Sequence, residues 1–156
     1  ITLTYLKGIK NFASLQIYKY KPFISFKNFY YRTIGIMEIG KKMSSALMFM
    51  PDIMFPARIN VGDNSIIVYN TTILAHEYLI DEYRIGDVVI GENVLVGANS
   101  TILPGIKIGD GAIVSAATLV NRDIPPGVFA GGNPVKIIFT KEQMAERLEK
   151  AKIEYG

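Results

Sequence analysis

The chain has 156 residues, 49% of them apolar and 20% charged, enough for one compact domain with a real core and too short for two ordinary ones. It contains no Cys and a single His, which excludes a disulfide framework, a thiol nucleophile, a cysteine-based zinc site and a multi-histidine metal centre. The net charge of +3 is unevenly spread: residues 1–42 carry eight bases against Glu38 alone, and the remainder nine bases against 13 acids. The body is therefore acidic, which argues against a nucleic-acid partner.

Residues 1–37 interleave lysines with Phe12, Tyr18, Tyr20, Phe23, Phe26, Phe29, Tyr30 and Tyr31. The pattern predicts one or two helices interrupted at Pro22. The plainer use of such a segment is to wrap an oligomer with its rings buried. The alternative is peripheral contact with an anionic membrane surface. Lysines interrupt every candidate signal-peptide core. The longest apolar stretch, residues 43–57, is broken by Pro51, Asp52 and Pro56, short of the ~18 residues a spanning helix needs. A cytoplasmic protein is expected, at most peripheral at the inner membrane surface.

Beyond Ile39-Gly40, which opens the first coil, a period of six takes over. Val61-Gly62, Ile67 and Ile73 carry it first. Ile90, Val96, Ile102, Ile108, Val114 and Val120 then repeat it without interruption. The residue after each is mostly Gly or another turn former. The residue two before is mostly small or branched: Val94, Ser100, Ile106, Ala112 and Thr118. Six matches neither a helix nor a simple strand. It matches a parallel β-helix, an all-β solenoid in which each hexad forms one flat side and three sides close a coil of ~18 residues. The sixth residues point inward and stack between coils.

Between Ile73 and Ile90 the period breaks. Ile90 stands seventeen positions after Ile73, one fewer than three hexads, and the interval holds Ala75-His76-Glu77-Tyr78 and Asp81-Glu82-Tyr83-Arg84. An irregular excursion from a regular solenoid is a usual place for function, and the sole His lies in it. At the far end Pro125-Pro126 and Pro134 are expected to stop the hexads. Thr140 then begins a capping-box pattern with Gln143, predicting a helix over 139–156 with Met144 and Leu148 on one face. Packing of that helix on the last coil is expected to cover the sheet edge.

Four segments carry a family resemblance: Asn70-Thr71-Thr72-Ile73-Leu74-Ala75-His76, the run Ile90 to Gly97, the run Ile102 to Gly109, and Ala130-Gly131-Gly132-Asn133-Pro134-Val135-Lys136. From about Ile39 to Ile138 the chain resembles the hexapeptide-repeat acyltransferases, in the galactoside, maltose and xenobiotic O-acetyltransferase group. Carbonic anhydrases built from the same hexads need three zinc-binding histidines, and this chain has one. The resemblance implies a left-handed β-helix over residues 38–138, homotrimers with sites between neighbouring subunits, and acetyl-CoA as co-substrate without a metal. It makes His76 the general base and the Ala98 N–H the oxyanion donor. It also puts Ala98, Ala116, Asn121, Arg122 and Lys136 along the coenzyme, with Lys107 and Lys141 as weaker candidates.

Thioester-to-alcohol transfer needs a base for the hydroxyl proton, and imidazole, with an ordinary pKa of about 6.5, suits it. With no thiol and no Ser–His spacing, direct attack is expected rather than a covalent acyl-enzyme. Some positions depart from the family pattern. Leu95 stands where an aromatic residue is common, and Phe139 where a basic residue often closes the coenzyme site. Met48-Phe49-Met50-Pro51-Asp52 replaces an Asn-bearing first coil, so the family's sugar contacts do not carry over. Asp52 becomes the candidate to bind the acceptor or to orient His76. The leading expectation is O-acetylation of a sugar or glycan hydroxyl. The alternatives are N-acylation of an amino sugar or antibiotic, and a non-catalytic scaffold.

Overall fold

The computed structural model describes residues 37–40 and 49–155; the expected N-terminal helices lie outside them. In chain order the strands are β1 (Glu38–Ile39), β2 (Met50–Pro51), β3 (Ile59–Val61), β4 (Ile66–Ile67), β5 (Thr72–Ile73), β6 (His76–Tyr78), β7 (Tyr83–Ile85), β8 (Val88–Ile90), β9 (Leu95–Val96), β10 (Thr101–Ile102), β11 (Lys107–Ile108), β12 (Ile113–Val114), β13 (Leu119–Val120), β14 (Phe129–Gly131) and β15 (Lys136–Phe139). Helix α1 (Lys141–Tyr155) follows. Three sheets form the sides of a prism. Side one is β1-β3-β8-β11, side two β4-β9-β12-β14 with β15 at its edge, and side three β2-β5-β10-β13. Within each side the pairing is parallel, apart from β14–β15. The chain runs from side one to two to three and round again, as the left-handed β-helix expected from the hexads.

The periodic residues account for this shape. Val61, Ile67, Ile73, Ile90, Val96, Ile102, Ile108, Val114 and Val120 are all buried and form the axial core. Two-residue strands cannot stand alone, so each coil is held by the stack above and below it. The corner between sides one and two turns at Asn64, Asn93, Gly111 and Gly127, all with positive φ. The next corner turns at Asn70, Asn99 and Ala117, again with positive φ. Asn tolerates that region better than most residues. The asparagines also ladder, Asn64 donating to Asn93 and Asn70 to Asn99 at 2.8 Å. Buried hydroxyls complete the corners: Ser65 donates to the Gly91 carbonyl at 2.7 Å and Ser100 to that of Gly97 at 2.8 Å. Gly62 is required by close approach, since a Cβ there would lie 2.6 Å from the Gly91 carbonyl carbon.

Register reveals where the coil departs from regularity. Ile102 pairs with Val120, 18 residues on. Ile73 pairs with Ile102, 29 on, and Pro51 with Ile73, 22 on. The first two coils therefore carry four and eleven extra residues, both leaving from the corner between sides three and one. That stacks the turn after β2 beneath the excursion after β5.

The C-terminal end differs from expectation in two respects. Pro125-Pro126 does not stop the solenoid: Ile124 bridges Ile108 and β14 pairs with β12, in a coil shortened to 16 residues. Pro126 and Gly127 (φ 69°) make the corner themselves, a pairing favoured in such a turn. The sheet edge beyond β14 is covered by antiparallel β15 rather than by the helix. Helix α1 does begin with the capping box, Thr140 N–H donating to Gln143 Oε1 at 2.9 Å. Leu148 is exposed, and the helix is tied to β15 by Arg147 over the Phe139 ring at 4.3 Å.

Candidate active site

The two excursions meet. Asp52 directly follows β2, and its Oδ1 accepts the N–H groups of Met54 (2.8 Å) and Phe55 (2.9 Å). This Asx turn folds the extra residues of the first coil, and Pro56 then starts a short 3-10 turn. One coil above, β5 leads to Ala75 and His76, where the inserted hairpin β6–β7 begins. Asp52 Oδ2 accepts the N–H groups of Ala75 (2.8 Å) and His76 (3.1 Å) and lies 2.5 Å from His76 Nδ1. The Asp52 side chain has no solvent exposure, whereas that of His76 retains 18%.

The electrostatics follow from this cage. Burial is the largest influence on Asp52 and pushes its pKa up. The Phe55 N–H, the His76 side chain and the Ala75 N–H outweigh it, holding the carboxyl below its ordinary value. A carboxylate only accepts hydrogen bonds, so the Nδ1 contact needs the proton on Nδ1. That leaves the Nε2 lone pair pointing away from Asp52, towards the exposed side of the ring.

Aromatic residues of the hairpin and of the Asp52 turn pack around the imidazole. Cross-strand register pairs His76 with Ile85, Glu77 with Arg84 and Tyr78 with Tyr83. Alternation puts His76 and Tyr78 on one face and Glu77 on the other. Phe55 and Tyr78 meet the imidazole edge-on at 5.3 and 5.6 Å, and Tyr83 lies at 6.3 Å. Tyr78 and Tyr83 stack at 4.5 Å. Partial desolvation, then the charge and hydrogen bond of the Tyr78 phenol, push the Tyr83 phenol above its ordinary value. Phe55, Tyr78 and Tyr83 are site neighbours that the sequence reading did not assign. Spacing of two from His76 was a signal for Tyr78; nothing in the sequence pointed to Phe55.

The remaining expected residues fall elsewhere. Ala98 lies on the corner between sides two and three, with Ala116 one coil above it. Ala98 gives its carbonyl to the Ala117 N–H at 2.8 Å, while its own N–H has no acceptor among the described residues. His76 leaves the opposite end of side three, on the order of 15 Å away across a five-residue span. One chain thus brings Asp52 to His76, but does not bring Ala98 to them. Asn121 and Arg122 are exposed on the His76 corner two coils above it. Arg122 donates to the Val135 carbonyl at 2.6 Å, bracing the turn before β15. Lys136 is exposed at the start of β15. Asp52 is fully enclosed, with both oxygens used by the chain itself, and its geometry is that of a residue orienting His76 rather than touching an acceptor.

Stacked hexads around a three-sided coil define a hexapeptide-repeat protein, and comparisons with known proteins agree. The profile described as "Hexapeptide repeat of succinyl-transferase" matches residues 87–122. The chain is 64% identical over 150 residues to "Putative acetyltransferase YvoF" of Bacillus subtilis (strain 168), covering 96% of this chain and 87% of that protein. It is 47% identical to a protein of the same description, SAR0816, from Staphylococcus aureus (strain MRSA252), covering 84% and 81%. Among solved structures, a maltose O-acetyltransferase from Clostridium difficile 630 superposes with a TM-score of 0.72 at 22% identity, covering 90% of this chain and 89% of that one. The chain belongs to the hexapeptide-repeat acyltransferases, as the sequence resemblance implied.

Proposed function

We propose that the protein is an acetyl-CoA-dependent O-acetyltransferase acting on a hydroxyl of a sugar or glycan. The observation that carries this reading is the Asp52–His76 pair, with Nδ1 held and Nε2 turned outward among exposed rings. A neutral imidazole fixed in that tautomer is the base that ester formation requires. As the acceptor oxygen attacks the acetyl carbonyl carbon, His76 Nε2 takes the hydroxyl proton. The carbonyl electron pair moves onto oxygen, where the Ala98 N–H donates to it. Collapse re-forms the carbonyl and breaks the carbon–sulfur bond, and the Nε2 proton passes to the departing thiolate. The base is worth roughly 10²–10⁴-fold, and one oxyanion donor about 3 kcal/mol.

The coenzyme is a substrate here, and several features suit it. Exposed Ala116 and Ala117 leave the backbone of their corner uncovered, suiting an extended amide-bearing arm. Asn121, Arg122 and Lys136 offer polar and cationic contacts for the nucleotide end, because Arg122 spends only part of its five-donor fork on Val135. Coenzyme complexes exist for a structural neighbour, a galactoside acetyltransferase (TM-score 0.64, 19% identity, covering 94% of this chain and 84% of that one).

The separation of Ala98 from His76 supports a shared site. His76 must reach the attacking hydroxyl and the Ala98 N–H the carbonyl oxygen of the same reacting centre, each at hydrogen-bond distance, so they come from neighbouring copies in a homotrimer. The test is calorimetry with acetyl-CoA together with thiol release over a panel of sugars. Wild type should bind and transfer; His76→Ala should bind with similar affinity and lose at least 100-fold in kcat. Absence of coenzyme binding in both proteins would overturn the reading.

A further inference from the structure

Of the twelve large apolar or aromatic side chains that stand exposed among the described residues, six lie on the two excursions. Met54, Tyr78, Leu79, Ile80, Tyr83 and Ile85 are all exposed, although the coils bury their periodic residues almost completely. Tyr78 is 71% exposed while stacked on Tyr83, so one ring face is covered by its partner and much of the rest is open. The pair adjoins His76 on the same face of the hairpin. A cross-strand aromatic pair does stabilise a hairpin, but that role alone needs neither contact with the one outward-facing base nor so much open ring.

Resting on the transferase reading above, we propose that Tyr78 and Tyr83 form the acceptor platform, on which the C–H face of a pyranose ring stacks with one hydroxyl presented to His76 Nε2. A sugar ring offers what this surface can hold: an apolar flat face on one side and hydroxyls around its rim. The exposed rings supply broad apolar contact at low conformational cost, as aromatic residues do at recognition surfaces. At neutral pH the Tyr83 phenol is un-ionised and can donate or accept at the rim. Phe55 packs edge-on against the imidazole at 5.3 Å. Asp52 is enclosed and leaves recognition to these rings. Tyr78 and Tyr83 are then specificity-determining residues rather than catalytic ones.

Two measurements separate this inference from the transferase reading. The first titrates methyl glucoside, methyl galactoside and methyl N-acetylglucosaminide into the full-length protein, following tyrosine ring signals by 1H–13C NMR, with Tyr78→Phe and Tyr83→Phe giving the assignments. Saturable shifts at Tyr78 and Tyr83 with at least one pyranoside are expected; no shift at either ring with any of the three overturns the platform, whatever the thiol assay reports. The second compares Tyr78→Phe with Tyr78→Leu for any pyranoside that accepts acetyl. Leu, a large residue without a ring face, should raise acceptor KM roughly tenfold with a smaller change in kcat, and Phe should keep KM near wild type. Equal KM values for Leu and wild type overturn the proposal. Ring shifts without thiol release would leave the platform standing and sink the transferase reading.

Discussion

Asp52 answers to five donors from its own chain, and that sets its behaviour on substitution. Replacing it with Asn keeps the shape but makes one Oδ position an amide nitrogen. At the Oδ2 position that nitrogen cannot accept the Nδ1 proton, and at the Oδ1 position it meets the Met54 and Phe55 N–H groups, so either placement loosens the hold on His76. Asp52→Asn should therefore lower kcat by roughly 100-fold or more while leaving acetyl-CoA affinity near wild type, measured by thiol release and calorimetry. The same residue links stability to acid. Its carboxyl pKa is lowered in the folded state, so its contribution is fully present above the unfolded value of about 3.9. That contribution is lost as pH falls through the lowered folded value. Melting temperature recorded from pH 6 downward should drop in the wild type below about pH 4, and this part of the drop should be missing from Asp52→Asn. At this scale the sequence was partly legible. His76 stood out as the only histidine, in the longest break of the period. Asp52 could be picked as a candidate carboxylate, but choosing between imidazole and acceptor depends on the Pro51–Ile73 register, which four unperiodic residues hide.

The element that carries the proposed base is the insertion of residues 76–86. Removing those eleven residues would join Ala75 to Asp87 and restore six-residue spacing between Ile73 and Ile90. The strands on either side already stack on β10 and β11. The deletion variant should keep a β-type far-UV circular dichroism spectrum and a cooperative melt, and lose all transfer activity. Loss of the fold itself would mean that the hairpin supports the coils. Core substitution should act in the opposite way. Ile102 is fully buried at the middle of side three, and Ile102→Ala should cost about 2–5 kcal/mol in denaturant unfolding. The hexads were legible because every coil must place a branched apolar residue at the same inward point. The hairpin was legible only as a failure of that rule. Its Tyr78–Tyr83 pairing depends on cross-strand register, and the antiparallel edge strand β15 was not foreseen because its four residues carry no hexad.

For the whole molecule, the decisive fact is that a prism presents its corners in different directions. The Asp52–His76 pair occupies one corner and Ala98 another, so the transferase proposed above, with Ala98 as its oxyanion donor, would draw each site from two copies. No described helix is long and apolar enough to cross a membrane. Fold class and family were legible from the sequence at this scale; the proposed sharing of the site came only from family resemblance, because corner positions follow from coil count and insertion length together. The most direct test co-expresses two variants, His76→Ala and Ala98→Pro. Proline is sterically suited to position 98: Asn99 follows with φ 59°, and the chain itself places Pro104 before Gly105 and Pro126 before Gly127 at positive-φ corners. The substitution thus removes the N–H while keeping the turn. Each variant alone should form trimers, bind acetyl-CoA and be nearly inactive. Random mixed trimers contain intact pairings at about a quarter of their sites, and turnover should recover to about that fraction. A mixture as inactive as its parents, or an Ala98→Pro protein with wild-type turnover, would contradict the shared site.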